Sequence, residues 1–161
     1  MKYLAAIAMM LITPAFAEDV DESSAVTFAE EYLAAYSTFD TALMEPFLSD
    51  DMVFYDPTSS TQNADGGPFW FTGKNAVLKG LGDYAGQFAS FSVSYNVERQ
   101  YDSQGVVVFI GQLGYEGETN DGRTFDGSLP VVTAVTVKDG AVVKHTDFLD
   151  YNGNAVDFSS E

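Results

Sequence analysis

Three side chains in this sequence have the types that proton chemistry needs and a placement that could bring them together: Asp56, Asp147 and Tyr32. A carboxylate can move a proton beside a carbonyl, and a hydroxyl can hold the oxyanion that develops. Asp56 ends the run Met52-Val53-Phe54-Tyr55-Asp56, where alternation puts it on one face with Met52 and Phe54. If that face is the inner one, burial raises the carboxyl's pKa toward the range a general base requires. The plainer reading of Asp56-Pro57 is a turn. Asp147 and His145 share a face of the last apolar run with Val143 and Leu149, which makes a polar spot in a cavity wall or a hydrogen-bonded structural pair. Tyr32 lies on an apolar helical stripe, as an oxyanion donor or a core tyrosine. His145-x-Asp147 also alternates as metal ligands do, but two ligands are too few, and the chain has no cysteine and no second histidine. No metal is therefore expected, and with no Gly-x-Ser-x-Gly and no phosphate-cradling glycine loop before a helix, no cofactor is expected either.

The elements that must carry these groups can be read from periodicity. Residues 24–39 read as a helix with Phe28, Tyr32, Ala35 and Phe39 on one stripe and Ala29, Leu33 and Tyr36 beside it. Asp40 is an N-cap for a short second helix that Pro46 should bend or end. A strand follows to Asp56. Residues 58–67 form a polar loop, and Phe69-Trp70-Phe71 is an aromatic cluster that either packs that loop or covers a cavity mouth as a lid. Residues 74–84 read as a helix weakened by Gly80 and Gly82. Strands then run through Phe91–Val97, 105–117, a third ending at Lys138, and 141–151, with Asp139-Gly140 as the strongest hairpin signal. Helices first and a long antiparallel meander after them predict an α+β layer fold.

Composition narrows the partners. The 24 acidic residues against seven basic ones give a formal charge of −17, which argues against nucleic acid and anionic membrane surfaces as partners. At the N-terminus, Met1 and Lys2, an apolar run from Tyr3 to Ile12, and Pro14-Ala15-Phe16-Ala17 have the form of a cleaved secretory signal. The expected cut after Ala17 leaves one domain over residues 18–161, exported to a bacterial periplasm or beyond. The apolar run is too short to span a bilayer.

The order helix, short helix, Asp50-Asp51, strand, Asp56-Pro57, loop, Gly73-Lys74 helix and four strands resembles the SnoaL-like branch of the nuclear transport factor 2-like superfamily. Its specific points are residues 50–57, Phe71-Thr72-Gly73-Lys74, and Asp139-Gly140 together with His145-Thr146-Asp147-Phe148-Leu149-Asp150. The resemblance implies a cone in which a strongly curved antiparallel sheet wraps the N-terminal helices around an apolar cavity. It also implies a small, largely apolar ligand, and a homodimer through the outer sheet face. Ketosteroid isomerase gives the nearest local match, placing its general-base aspartate at Asp56 and its oxyanion tyrosine at Tyr32. Its second oxyanion acid falls at or next to Val132 and Thr133, where no acid stands, and its supporting tyrosine falls near Leu81. Limonene-epoxide hydrolase places its first aspartate at Asp147, but its arginine and second aspartate fall at about Gly111 and Leu113. Polyketide cyclases of the SnoaL type use acid/base groups on the stretch that holds His145 and Asp147. The expected ligand contacts around Asp56, Tyr32 and Asp147 are Phe54, Trp70, Phe109, Leu113, Tyr115 and His145. Fold does not settle the reaction, so a non-catalytic interaction module using the outer sheet face is the competing expectation.

Overall fold

The computed structural model describes residues 22–63, 65–151 and 157–158. The expected signal segment and its cleavage site lie outside the described residues. Helix α1 (Glu22–Ser37) buries Ala25, Ala29, Tyr32, Leu33 and Tyr36, a stripe rotated slightly from the expected one so that Phe28 and Ala35 are only half-buried. Asp40 caps α2 (Thr41–Met44) by accepting the Ala42 N–H at 2.9 Å. The chain then tightens into a 3-10 turn, Glu45–Phe47, at Pro46.

Strand β1 (Leu48–Asp56) follows, with Met52, Phe54 and Asp56 buried as period two requires. β2 (Phe69–Thr72) pairs with it antiparallel, and α3 (Lys74–Ala85) packs against both. The meander is β3 (Phe88–Ser103), β4 (Val106–Thr119), β5 (Thr124–Lys138) and β6 (Ala141–Leu149). A two-residue strand β7 (Asp157–Phe158) adds to β5. The sheet runs β2-β1-β6-β5-β4-β3, with β1 and β6 parallel and the other pairs along this path antiparallel. A simple meander does not anticipate the parallel pair. No helix among the described residues is long and apolar enough to cross a membrane.

Two of the register shifts in this sheet bear on its curvature and on which side chains face inward. In β3 the register shifts between Val97 and Arg99, opposite Gly111 and Ile110. In β6 the pairing steps from Val142 to Lys144 against both neighbours. A bulge inserts a residue, bends its strand and changes which side chains face inward. Val142 is therefore the buried residue and Val143 is only half-buried, although alternation back from His145 assigns Val143 to the inner face.

Candidate functional site

The parallel pairing of β1 and β6 brings the two carboxylates together. Phe54 lies opposite His145 and Tyr55 opposite Thr146, so Asp56 and Asp147 stand one step further along neighbouring strands, both on the inner face. They line a cavity of about 260 Å³ inside the curved sheet. Its walls are Tyr36 from α1 and Phe39 just after it, Phe54 from β1, Phe69 and Phe71 from β2, and Leu81 and Tyr84 from α3. The far side is closed by Phe91 and Val93, Leu113 and Tyr115, Phe125 and Leu129 on the three long strands.

Asp56 is 2 % exposed and fully engaged. Its Oδ1 accepts the Thr58 N–H at 2.9 Å and the Thr58 hydroxyl at 2.5 Å, while Oδ2 accepts the Tyr151 hydroxyl at 2.7 Å. Thr58 in turn accepts the Leu149 N–H at 2.9 Å, which ties the end of β1 to the end of β6. Burial pushes the Asp56 carboxyl up from its ordinary value of 3.8; the hydrogen bonds from Thr58 and Tyr151 oppose this, and the nearby Asp147 adds to it. Tyr151 is pushed strongly up by burial and by Asp56, so it remains a hydroxyl donor. Asp56 thus combines both sequence readings, since it starts a turn and it also faces the cavity.

Asp147 is held by β5 and α1. Thr133, its cross-strand partner, donates its hydroxyl to Oδ1 at 2.5 Å, and Tyr36 points its hydroxyl at Oδ2 from 3.4 Å. His145 Nε2 lies 2.9 Å from Oδ1 but off the line of a good hydrogen bond. The other ring nitrogen, Nδ1, is 2.9 Å from the Tyr32 hydroxyl. A proton on Nε2 would face Asp147 while Nδ1 accepts from Tyr32, making a buried Tyr32–His145–Asp147 chain. Burial and the negative charge of Asp147 push Tyr32, Tyr36 and Tyr95 well above their usual range, so all three are neutral phenols. The Tyr95 hydroxyl is buried beside Thr133 without a well-formed hydrogen bond.

Of the residues expected from sequence, Asp56, Asp147, Phe54, Leu113 and Tyr115 line this cavity, and the rest do not. Tyr32 is buried behind it, its hydroxyl occupied by His145; Tyr36, one helical turn on, takes the place at the wall. His145 lies behind Asp147 with no exposure. Phe109 sits deeper on the inner face of β4, where α1 covers it, and borders a separate cleft with Leu33 and Ser37. Trp70 is 66 % exposed on the outer face, against the Tyr55 ring at 5.3 Å. Alternation within β2 sends Phe69 and Phe71 inward and Trp70 outward, so the cluster is cavity wall and Trp70 is no lid. Thr58, Thr133 and Tyr151 carry no motif; Thr133 could have been found from its position opposite Asp147 once the strand register was known. Among the described residues, no group of three or more His, Asp or Glu is placed to hold a metal.

Residues 29–145 match the family described as SnoaL-like domain, which is most of the chain. The chain belongs to this family. No curated protein matches the sequence significantly. Solved structures of the same fold include a candidate SnoaL-like polyketide cyclase from Shewanella denitrificans, with a TM-score of 0.65 at 20% identity over 80% of this chain and 92% of that one. An epoxide hydrolase of M. tuberculosis, similar to limonene-epoxide hydrolase, aligns with a TM-score of 0.59 at 18% identity over 81% and 86%. A protein with a ketosteroid isomerase-like fold from Catenulispora acidiphila, in complex with trimethylamine, gives a TM-score of 0.59 at 12% identity over 77% of this chain and 85% of that one. At these identities the likeness establishes the SnoaL-like fold and leaves the reaction open.

Proposed function

We propose that this SnoaL-like protein binds a small, largely apolar molecule in the cone cavity and that Asp56 exchanges a proton with it. The observation that carries the reading is a buried carboxyl on the wall of an open cavity otherwise walled mainly by rings and aliphatics. An open cone favours a binding site over a module that uses the outer sheet face alone. In such a step Asp56 takes a proton from a carbon next to a carbonyl, and the resulting enolate oxygen needs a donor. Tyr36 fills that role better than Tyr32, because it lines the cavity and its hydroxyl is only loosely held, at 3.4 Å from Asp147. Returning the proton to a different carbon completes an isomerisation without any other reactant. The Catenulispora relative, which carries trimethylamine, agrees with a small guest.

Leu113 supplies the test. It is an aliphatic side chain on the cavity wall with no part in the polar network, and Leu113→Trp fills space there. The substitution should lower the affinity for N-phenyl-1-naphthylamine, a neutral apolar fluorescent probe, by at least about tenfold while unfolding stays cooperative. Unchanged binding would place the probe elsewhere and remove the cavity from consideration.

We also propose that the protein acts outside the cytoplasm, from the signal-like residues 1–17. The exported protein should then have an intact mass that begins at Glu18, and retention of Met1 to Ala17 after export would exclude this.

A further inference from the structure

The cavity has a chemical bias that proton transfer to Asp56 does not use. Among the described residues twenty line it, of which eleven are aromatic, two are aspartates and none is lysine or arginine. Aromatic faces carry the negative end of the ring quadrupole, so a ring-walled site with carboxylates attracts cations and repels anions. The net charge of −17 extends the same preference into the solvent. Rings alone would suit a neutral guest equally well, and Asp147 makes the difference.

The two carboxylates differ in how well they are satisfied. Both oxygens of Asp56 hold hydrogen bonds of 2.9 Å or less. Asp147 has Thr133 and the His145 ring at Oδ1, but among the described residues Oδ2 has only the Tyr36 hydroxyl, at 3.4 Å. That length is beyond a good O–H···O bond, and a carboxylate oxygen has room for two acceptor contacts. A buried charged oxygen with so little support is costly unless something else meets it. Beside it, Tyr36 stacks on Phe54 and Phe54 on Phe71, each pair with centroids 6.1 Å apart.

We propose that the cavity's ligand is an organic cation, an ammonium group carried on a small apolar body, with its charge set between Asp147 Oδ2 and the rings of Tyr36, Phe54 and Phe71. This rests on the reading of the cone cavity as the binding site, and it divides the labour of the two acids. Asp147 pairs with the fixed charge, and Asp56 is left for the proton.

Choline and 3,3-dimethylbutan-1-ol separate this proposal from the reading beneath it, because they have the same shape and differ by a positive nitrogen in place of a carbon. Titration of the mature protein with each, followed by the NMR shifts of the cavity rings, should show choline binding at least about tenfold more tightly. In Asp147→Asn the advantage of choline should shrink to within about twofold while the alcohol's affinity is kept. Equal affinities for the two compounds in the unmodified protein overturn the cation and leave the cavity standing, a result that does not depend on how well the variant folds. If neither compound nor N-phenyl-1-naphthylamine shifts the cavity rings, both the proposal and the cavity reading fall. A choline advantage that persists in a folded Asp147→Asn assigns the charge to another group and overturns the role of Asp147.

Discussion

Asp56→Asn will cut any proton-transfer turnover by about 10²–10⁴-fold, the range expected when a positioned base is lost, and near neutral pH the variant will be at least as stable as the parent. The second half follows from the direction of the pKa shift. Burial, reinforced by Asp147, holds the folded carboxyl above 3.8 despite the bonds from Thr58 and Tyr151. Between the unfolded value and this raised one, the native state keeps a proton that the unfolded chain has released. Stability therefore falls as pH rises through that window, and the loss is complete above the folded value. Asparagine is nearly the same shape; its oxygen can still accept from Thr58, and its amide can donate to the Tyr151 oxygen, so the turn survives without the charge. Denaturant unfolding of both proteins at acidic and neutral pH measures the effect, with a carboxyl titration by NMR to locate the pKa. The stability curves should diverge in favour of the variant as pH rises. Curves that diverge the other way would mean that Asp56 is a plain turn carboxylate whose hydrogen bonds outweigh its burial.

What the sequence could and could not reveal about this site follows from the reach of each signal. Period two is local, so Asp56 beside Met52 and Phe54, and Asp147 beside His145 and Leu149, were legible as inward pairs. The contact between those pairs was not, because it depends on β1 lying parallel beside β6, and those strands are separated by the whole meander. The stripe of α1 was legible as a broad apolar face holding both Tyr32 and Tyr36. Which of them reaches the cavity depends on a small rotation of the helix against β3, β4 and β5, which no spacing records. Bulges escape a strict alternation rule, and so Val143 was assigned the place that Val142 takes. Trp70 shows the opposite error. The cluster was read by its bulk, while applying the same alternation to Phe69-Trp70-Phe71 would have sent the indole outward. Thr133 stood out only as a place where an acid is missing, yet its hydroxyl is a direct partner of Asp147.

Gly111→Ala will be among the most damaging single changes outside the site, at about 3 kcal/mol, and its cause is the bend that makes the cavity. Gly111 lies opposite Val97, where β3 shifts register and gains a residue before Arg99. A Cβ built on Gly111 would overlap the carbonyl oxygen of Asn96 and come within 3.0 Å of the Glu98 nitrogen. Both obstacles are backbone atoms of the bulge, so neither can rotate away as a side chain could. The strands must separate or the bulge must flatten, and either change loses ladder hydrogen bonds between the two longest-paired strands. Gly80 provides a comparison of the other kind. A Cβ there would approach the Phe71 ring at 2.5 Å, an obstacle that is a side chain and can shift at the cavity's expense. For a domain of this size about 3 kcal/mol corresponds to a fall in Tm of roughly 10 °C. Thermal unfolding of Gly111→Ala should show that fall, together with weaker binding of apolar probes, because a straighter β3 withdraws Phe91 and Val93 from the cavity wall. A variant that melts within about 2 °C of the parent and keeps its cavity would show that the sheet can take up the methyl group elsewhere, and that the bulge at Val97 is not what curves it.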